Sequence, residues 1–156
     1  MNEIERKFLI DLNKLDISKL TNWTCKIEQG YLCDNIKKTI RIRVVDDKSY
    51  ITIKGETKNI TRKEFEYEIP YNEAVEILKI CDKTIIKKRI TINYDKKYWY
   101  IDIFEGENEG LVIGEIELNS ENEKFNLPPW ATTEVSNDCR YYNVNLINNP
   151  YNSWNN

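Results

Sequence analysis

The stretch Met1-Asn2-Glu3-Ile4-Glu5-Arg6-Lys7-Phe8-Leu9-Ile10 carries the pattern on which the fold is read. Successive side chains on a strand point to opposite faces. Glu3, Glu5 and Lys7 then share one face, and Ile4, Phe8 and Ile10 share the other. Arg6 interrupts the apolar face, where a long stem can carry its guanidinium to water at the rim. One such strand is an ordinary amphipathic edge; the pattern gains weight because it recurs.

Cys25 to Asp34 reads as a second strand, with Ile27, Gln29, Tyr31 and Cys33 on one face. Gly30 there signals a bend or a close backbone approach. Lys38 to Asp46 puts Ile40, Ile42 and Val44 behind, with Thr39, Arg41 and Arg43 in front. After the turn Asp46-Asp47-Lys48, Ser49 to Glu56 puts Ile51 and Ile53 behind, with Thr52 and Lys54 in front. Thr61 to Ile69 sets Phe65 and Tyr67 against Arg62, Glu64, Glu66 and Glu68. Thr84 to Tyr94 brings Lys87 and Arg89 forward, Lys97 to Phe104 brings Tyr100 and Asp102, and Leu111 to about Ser120 brings Glu115 and Glu117.

Between these runs, Asp11 to Leu20 carries Leu12, Leu15, Ile17 and Leu20 and reads as a short helix or connector. Pro70 stops the sheet, and Asn72 caps a predicted helix reaching Cys81 with Val75, Ile77 and Leu78 inward. Beyond Phe125 the chain reads as a loop and a short helix, fraying from Asn148. Trp23, Trp99 and Trp130 read as packing residues. The expectation is one mainly β domain over residues 1–147. It is a closed, eight-stranded antiparallel barrel with a few short helices packed outside.

Composition narrows the chemistry. The chain of 156 residues has 23 basic and 26 acidic residues, so it lacks the basic excess of a nucleic-acid binder. No apolar run is long enough to span a membrane. The four cysteines lack C-x-x-C spacing, which argues against a zinc site or a disulfide framework and for a reduced, cytoplasmic protein. The N-terminus enters a strand at once, leaving no room for a secretory signal. Histidine is absent, so any catalysis must run on carboxylates, Lys, Arg, Tyr and a hard, oxygen-seeking cation.

The charged front collects Lys7, Arg41, Arg43, Lys54, Arg62, Lys87 and Arg89 with Glu3, Glu5, Glu64, Glu66, Asp102, Glu115 and Glu117. Either this face is solvated, or it lines the lumen while the apolar face packs outside. Like charges about 4 Å apart repel by roughly 4 kcal/mol at an effective dielectric near 20, so a lumen of bases needs counter-charge. Carboxylates supply part of it and a polyanionic ligand the rest. Arginine forks suit phosphate oxygens, and lysine acts as a point charge. The spaced pairs Glu3/Glu5 and Glu115/Glu117, facing each other, make an all-oxygen site for Mg²⁺ or Mn²⁺.

These residues resemble the CYTH superfamily, the triphosphate tunnel metalloenzymes. The likeness rests on Glu3-Ile4-Glu5-Arg6-Lys7, Gln29-Gly30-Tyr31-Leu32, Arg41-Ile42-Arg43, Thr52-Ile53-Lys54-Gly55, Lys87-Lys88-Arg89, Gly114-Glu115-Ile116-Glu117-Leu118 and Asp138-Cys139-Arg140-Tyr141-Tyr142-Asn143, in the family's order. It implies a tunnel that binds triphosphate with a divalent metal. The chain is most similar to small bacterial tripolyphosphatases that also act on nucleoside triphosphates. By position, Lys7, Arg41, Arg43, Lys54, Arg89 and Arg140 would grip phosphates, with Arg62 beside them. Glu3, Glu5, Glu115 and Glu117 would hold metal, with Asp102, Glu64 and Glu66 as further contributors. Lys87 and Tyr31 match a pair assigned to water activation. A class IV-like adenylyl cyclase and a non-catalytic polyphosphate binder are the alternatives, and pairing into a homodimer stays open.

Overall fold

The computed structural model describes residues 2–16 and 24–154. The chain runs β1 (Asn2–Ile10), β2 (Thr24–Cys33), β3 (Lys38–Val45), β4 (Lys48–Gly55), β5 (Thr61–Glu68), α1 (Tyr71–Leu78), β6 (Thr84–Tyr94), β7 (Lys97–Phe104), β8 (Val112–Glu117), β9 (Ala131–Glu134) and α2 (Asn143–Leu146). The sheet order is β5-β4-β3-β2-β6-β7-β8-β1, and β1 returns to β5, so eight antiparallel strands close a ring. The seam is β1. It pairs with β8 from Glu5↔Glu117 to Leu9↔Ile113, and with β5 from Asn2↔Lys63 to Ile4↔Thr61. Further along, β9 joins it at Phe8↔Glu134 and Ile10↔Ala131. That ninth strand falls in the segment read from sequence as a loop.

The main apolar core lies outside the barrel wall. The outward residues Phe8, Ile90, Trp99, Ile101 and Ile116 are buried beneath Leu118, Trp130 and Ala131. Trp99 is fully buried and meets Trp130 edge-on at 5.2 Å. The described part of the first connector is a short 3-10 turn, Leu12–Lys14, that adds Leu15 to this core. Ile17, Leu20 and Trp23 lie outside the described residues. A second outer cluster sets Ala74 and Leu78 of α1 on Ile42, with Val44 and Ile51 beside it. The helix begins one residue after Pro70 and ends at Leu78, without a side-chain cap, so Asn72 is inside it. Pro supplies the pre-set φ of a helix entry without needing a donor. β8 likewise stops at Glu117, before Ser120.

A third cluster occupies one end of the lumen. Ile85, Phe104, Leu111 and Ile113 pack with Leu146 and Ile147, and Leu9 and Tyr31 join them. Leu9 follows Lys7 by two residues, Ile85 precedes Lys87 by two, and Ile113 precedes Glu115 by two, so all three share the charged face. The inward side is therefore ionic along most of its length and apolar at one end. The segment from Asn148, expected to fray, instead seals that end. Tyr151 and Trp154 pack on the plug, the Tyr151 amide donates to Asn108 Oδ1 at 2.8 Å, and Tyr151–Ser153 forms a 3-10 turn. Aromatic burial overrides the polar composition of the tail.

Gly30 bears out the close approach read from its position. A Cβ there would sit 2.8 Å from Cys81 Cβ and 2.7 Å from its Sγ. Gly30→Ala is expected to cost about 1–3 kcal/mol through overpacking, read as a lower thermal midpoint. An unchanged midpoint would mean that Cys81, in the turn after α1, does not press on β2 here.

Candidate active site

The inward face encloses a cavity of about 290 Å³. Its wall carries seven bases, Lys7, Arg41, Arg43, Lys54, Arg62, Lys87 and Arg89, and six carboxylates, Glu3, Glu5, Glu64, Glu66, Glu115 and Glu117. Tyr31, Thr39, Tyr100 and Asn143 complete the polar lining. Strand parity brings these groups together from all eight barrel strands, and Asn143 joins them from α2. Behind them Phe8, Ile90, Trp99, Ile101 and Ile116 hold their strands in the outer core and Ile42 packs under α1, while Ile53, Phe65 and Tyr67 of β4 and β5 stay exposed, which leaves the inner face free to be ionic.

Most of the charges form one alternating series. Glu64 pairs with Lys54 at 2.6 Å, and Lys54 with Glu3 at 2.9 Å. Arg62 joins Glu3 at 2.5 Å to Glu5 at 3.3 Å. Lys7 joins Glu5 at 2.6 Å to Glu115 at 2.5 Å. Arg89 joins Glu115 at 2.8 Å to Asp102 at 2.6 Å, and Asp102 ends the series on Lys87 at 2.5 Å. Beside the start of this series, on β3, β4 and β5, Glu66 holds Arg41 at 3.4 Å and Arg43 at 2.9 Å, and Thr52 Oγ1 accepts from Arg41 and donates to Glu66.

The protonation pattern follows from this wiring. Burial alone would raise the Glu115 carboxyl, but Lys7 and Arg89 outweigh it and hold it well below the usual range. Asp102 is likewise pushed up by burial and brought down overall by Arg89 and Lys87. Burial pushes Lys7 down, and Glu115 and Glu5 more than reverse it. Lys87 goes the other way. Burial dominates, Arg89 adds to it, and Asp102 and Glu115 only partly offset them, so its ammonium is pushed down to about 8. Glu117 is raised, first by partial burial and then by Glu3, Glu5, Glu64 and Glu115. It is the lining carboxylate that makes no ion pair among the described residues.

Several sequence expectations change place. Asp102 is fully buried behind the wall, with both oxygens accepting from Lys87 and Arg89, so it serves those bases and does not line the cavity as a metal ligand would. Glu66 is committed to the arginines. Arg140 does not reach the cavity. It is mostly exposed, bound to Asp138 at 2.6 Å, and its guanidinium lies 5.2 Å from the Trp154 ring. The local turn that Asp138 caps holds it there. Tyr31 lines the cavity and accepts from Gln29 Nε2 at 3.3 Å, without a direct hydrogen bond to Lys87. Asn143 was not singled out from sequence, although it closes the Asp138–Asn143 segment. It accepts from Lys87 Nζ at 3.2 Å.

The donor set suits a hard cation, being all oxygen, and the mutual repulsion around Glu117 calls for positive charge. Among the described residues no three acidic groups already converge on one point, because Glu3 and Glu5 are turned to their bases. Among the described residues, no helix is long and apolar enough to cross a membrane.

The chain is similar to known proteins. The chain is 46% identical over 151 residues to an inorganic triphosphatase of Acetivibrio thermocellus, covering 96% of this chain and 95% of that protein. It is 30% identical over 153 residues to an inorganic triphosphatase of Nitrosomonas europaea, covering 94% and 97%. A solved inorganic triphosphatase structure superposes with a TM-score of 0.63 at 25% identity, covering 93% of each chain. The CYTH domain matches residues 1–151, so the chain belongs to the CYTH domain family.

Proposed function

We propose that the protein hydrolyses inorganic triphosphate to pyrophosphate and orthophosphate inside this cavity, with a divalent cation, Mg²⁺ or Mn²⁺. The carrying observation is the alternating ionic lining that ends on a deeply buried lysine. Nucleoside triphosphates bear the same chain of phosphates and are a second substrate class. The absence of paired cysteines among the described residues accords with a reducing, cytoplasmic setting.

In this reading Arg41, Arg43, Lys54, Arg62, Arg89 and Lys7 exchange part of their carboxylate contacts for phosphate oxygens. Arginine forks fix the chain of phosphates, and the lysines neutralise charge. Glu3, Glu5, Glu115 and Glu117 are the groups that would hold the cation. When bound, such an ion draws charge from the phosphoanhydride oxygens. Neutral Lys87 takes a proton from a water in the cavity as that oxygen forms its bond to the terminal phosphorus. The bond to the bridging oxygen breaks, and pyrophosphate leaves with the electron pair. Cations already in place around the transferring group stabilise the transition state without reorganisation. The Tyr31 hydroxyl, accepting from Gln29, keeps its own proton for a water or phosphate oxygen.

Incubation with tripolyphosphate, and separately with ATP, in Mg²⁺ or Mn²⁺ tests the reading. Orthophosphate release is expected; cyclic AMP with pyrophosphate would instead mark a cyclase, and tight binding without turnover a binding module. Because the base must be neutral, kcat should rise as pH climbs through about 8 and level above it. Lys87→Ala should lower kcat by roughly 10²- to 10⁴-fold and abolish that rise. A second variant addresses stability. Glu115 is held below its unfolded value, so its contribution is present above about pH 4.3 and fades as pH falls from there. Glu115→Gln should abolish turnover, and its thermal midpoint should fall less between pH 6 and pH 3 than that of the parent protein. Equal acid sensitivity would remove Glu115 from the stabilising network.

A further inference from the structure

We propose that Asn143 is a positioning residue which, with Asp102, aims the reactive face of Lys87 into the cavity. The inference rests on the reading of Lys87 as the base. Lys87 Nζ has two fixed neighbours, Asp102 Oδ2 at 2.5 Å and Asn143 Oδ1 at 3.2 Å. Both act as acceptors. Asp102 is ionised, since it also takes two hydrogen bonds from Arg89, at 2.6 Å and 2.8 Å. Toward an ammonium an asparagine can offer only its carbonyl oxygen.

An ammonium on this stem has three N–H bonds. Two are held by Asp102 and Asn143, and the third is left for the cavity that Lys87 lines. The proton lost on ionisation is the one without an acceptor. The neutral amine therefore keeps its two anchored N–H bonds, and its lone pair stands at the third tetrahedral position, facing substrate. With Asp102 alone, the amine turns about its last carbon–nitrogen bond, and the lone pair samples other directions. Charge near Lys87 comes from Asp102 on β7, Arg89 on its own strand and Glu115 on β8, none of which duplicates the second acceptor.

Asn143 is held in place by the end of the chain. It opens α2, whose Leu146 is fully buried in the apolar plug beside Ile147. Tyr142 Oη donates to the Ser136 carbonyl at 3.2 Å, and Asn145 Nδ2 donates to the Cys139 carbonyl at 2.7 Å. The tail that seals the lumen thus also sets the geometry of the base.

Steady-state kinetics on the full chain with tripolyphosphate and saturating Mg²⁺, across pH, test the proposal. Asn143→Ala should lower kcat roughly 10- to 100-fold with KM unchanged, as expected for a misplaced reacting group. Asn143→Asp keeps the acceptor and adds a negative charge beside Lys87. Its kcat should recover toward the parent plateau, with the rise displaced to higher pH. Thermal melts of both variants report whether they fold. Parent-like kcat in Asn143→Ala, or an Asn143→Asp loss equal at every pH, would overturn the proposal. Lys87→Ala separates the two layers. If it keeps the parent pH profile, the base itself is misassigned; if it is inactive while Asn143→Ala is parent-like, only the positioning role fails.

Discussion

The structure depends on the alternating series of acids and bases that runs from Glu64 to Lys87 on the inside of the barrel. Taking an ion out of water costs several kcal/mol even after relaxation, and a partner removed from a buried pair leaves that cost uncovered. Each interior lysine and arginine on this wall has at least one carboxylate partner, and Lys87, at the end of the series, shares its single one with Arg89, so the lumen can be ionic and still fold. The lumen then contributes little net stability. That has been moved outward, to the layer where Trp99, Ile101 and Ile116 lie under Trp130, and to α1 on Ile42. The fold is a barrel whose hydrophobic core lies outside it, against β1, β6, β7 and β8 and under α1, while the backs of Ile53, Phe65 and Tyr67 on β4 and β5 stay exposed.

The same pairing prepares the site for a polyanion. A phosphate chain must compete with Glu3, Glu5, Glu64 and Glu66 for the bases. Carboxylates released in that exchange become like charges at short range, the condition already visible around Glu117. Positive charge brought by a divalent ion relieves that repulsion, and anion and cation therefore favour each other's binding. The cost of ordering the cationic side chains is met at folding, because the carboxylates hold them extended before substrate arrives.

Much of this was legible in the sequence because strand geometry has a period of two. Arg41 and Arg43, or Glu115 and Glu117, must share a face whatever the tertiary structure. Parity says which side a residue takes, but not how deep it sits. Asp102 faces inward as read, yet Arg89 and Lys87 cover it, so its role as a ligand did not follow from its face. Arg140 follows the last strand, where no period applies, and a local Asp138 cap with the Trp154 ring decides its direction. The Asn-rich tail reads as polar coil, and only the tertiary contacts of Tyr151 and Trp154 make it part of the fold. Asn143 stands in the Asp138–Asn143 segment, but its contact with Lys87 was not legible, because that partner is 56 residues away in sequence.

Depth also explains where the chemistry sits. Along four strands the inward face changes from ionic to apolar in one step: Lys7 to Leu9, Lys87 to Ile85, Asp102 to Phe104, Glu115 to Ile113. Lys87 stands at that boundary, 2% exposed, with the Phe104 ring 5.4 Å from its Nζ. Lys7, equally enclosed, lies between two carboxylates and keeps its proton; Lys87 has Asp102, which it shares with Arg89, and loses its proton far more readily. The difference between a lysine that binds and a lysine that can act as a base is thus the share of carboxylate each receives at equal burial. The apolar plug makes that burial possible, because an open end would admit water and return Lys87 to the behaviour of an ordinary amine.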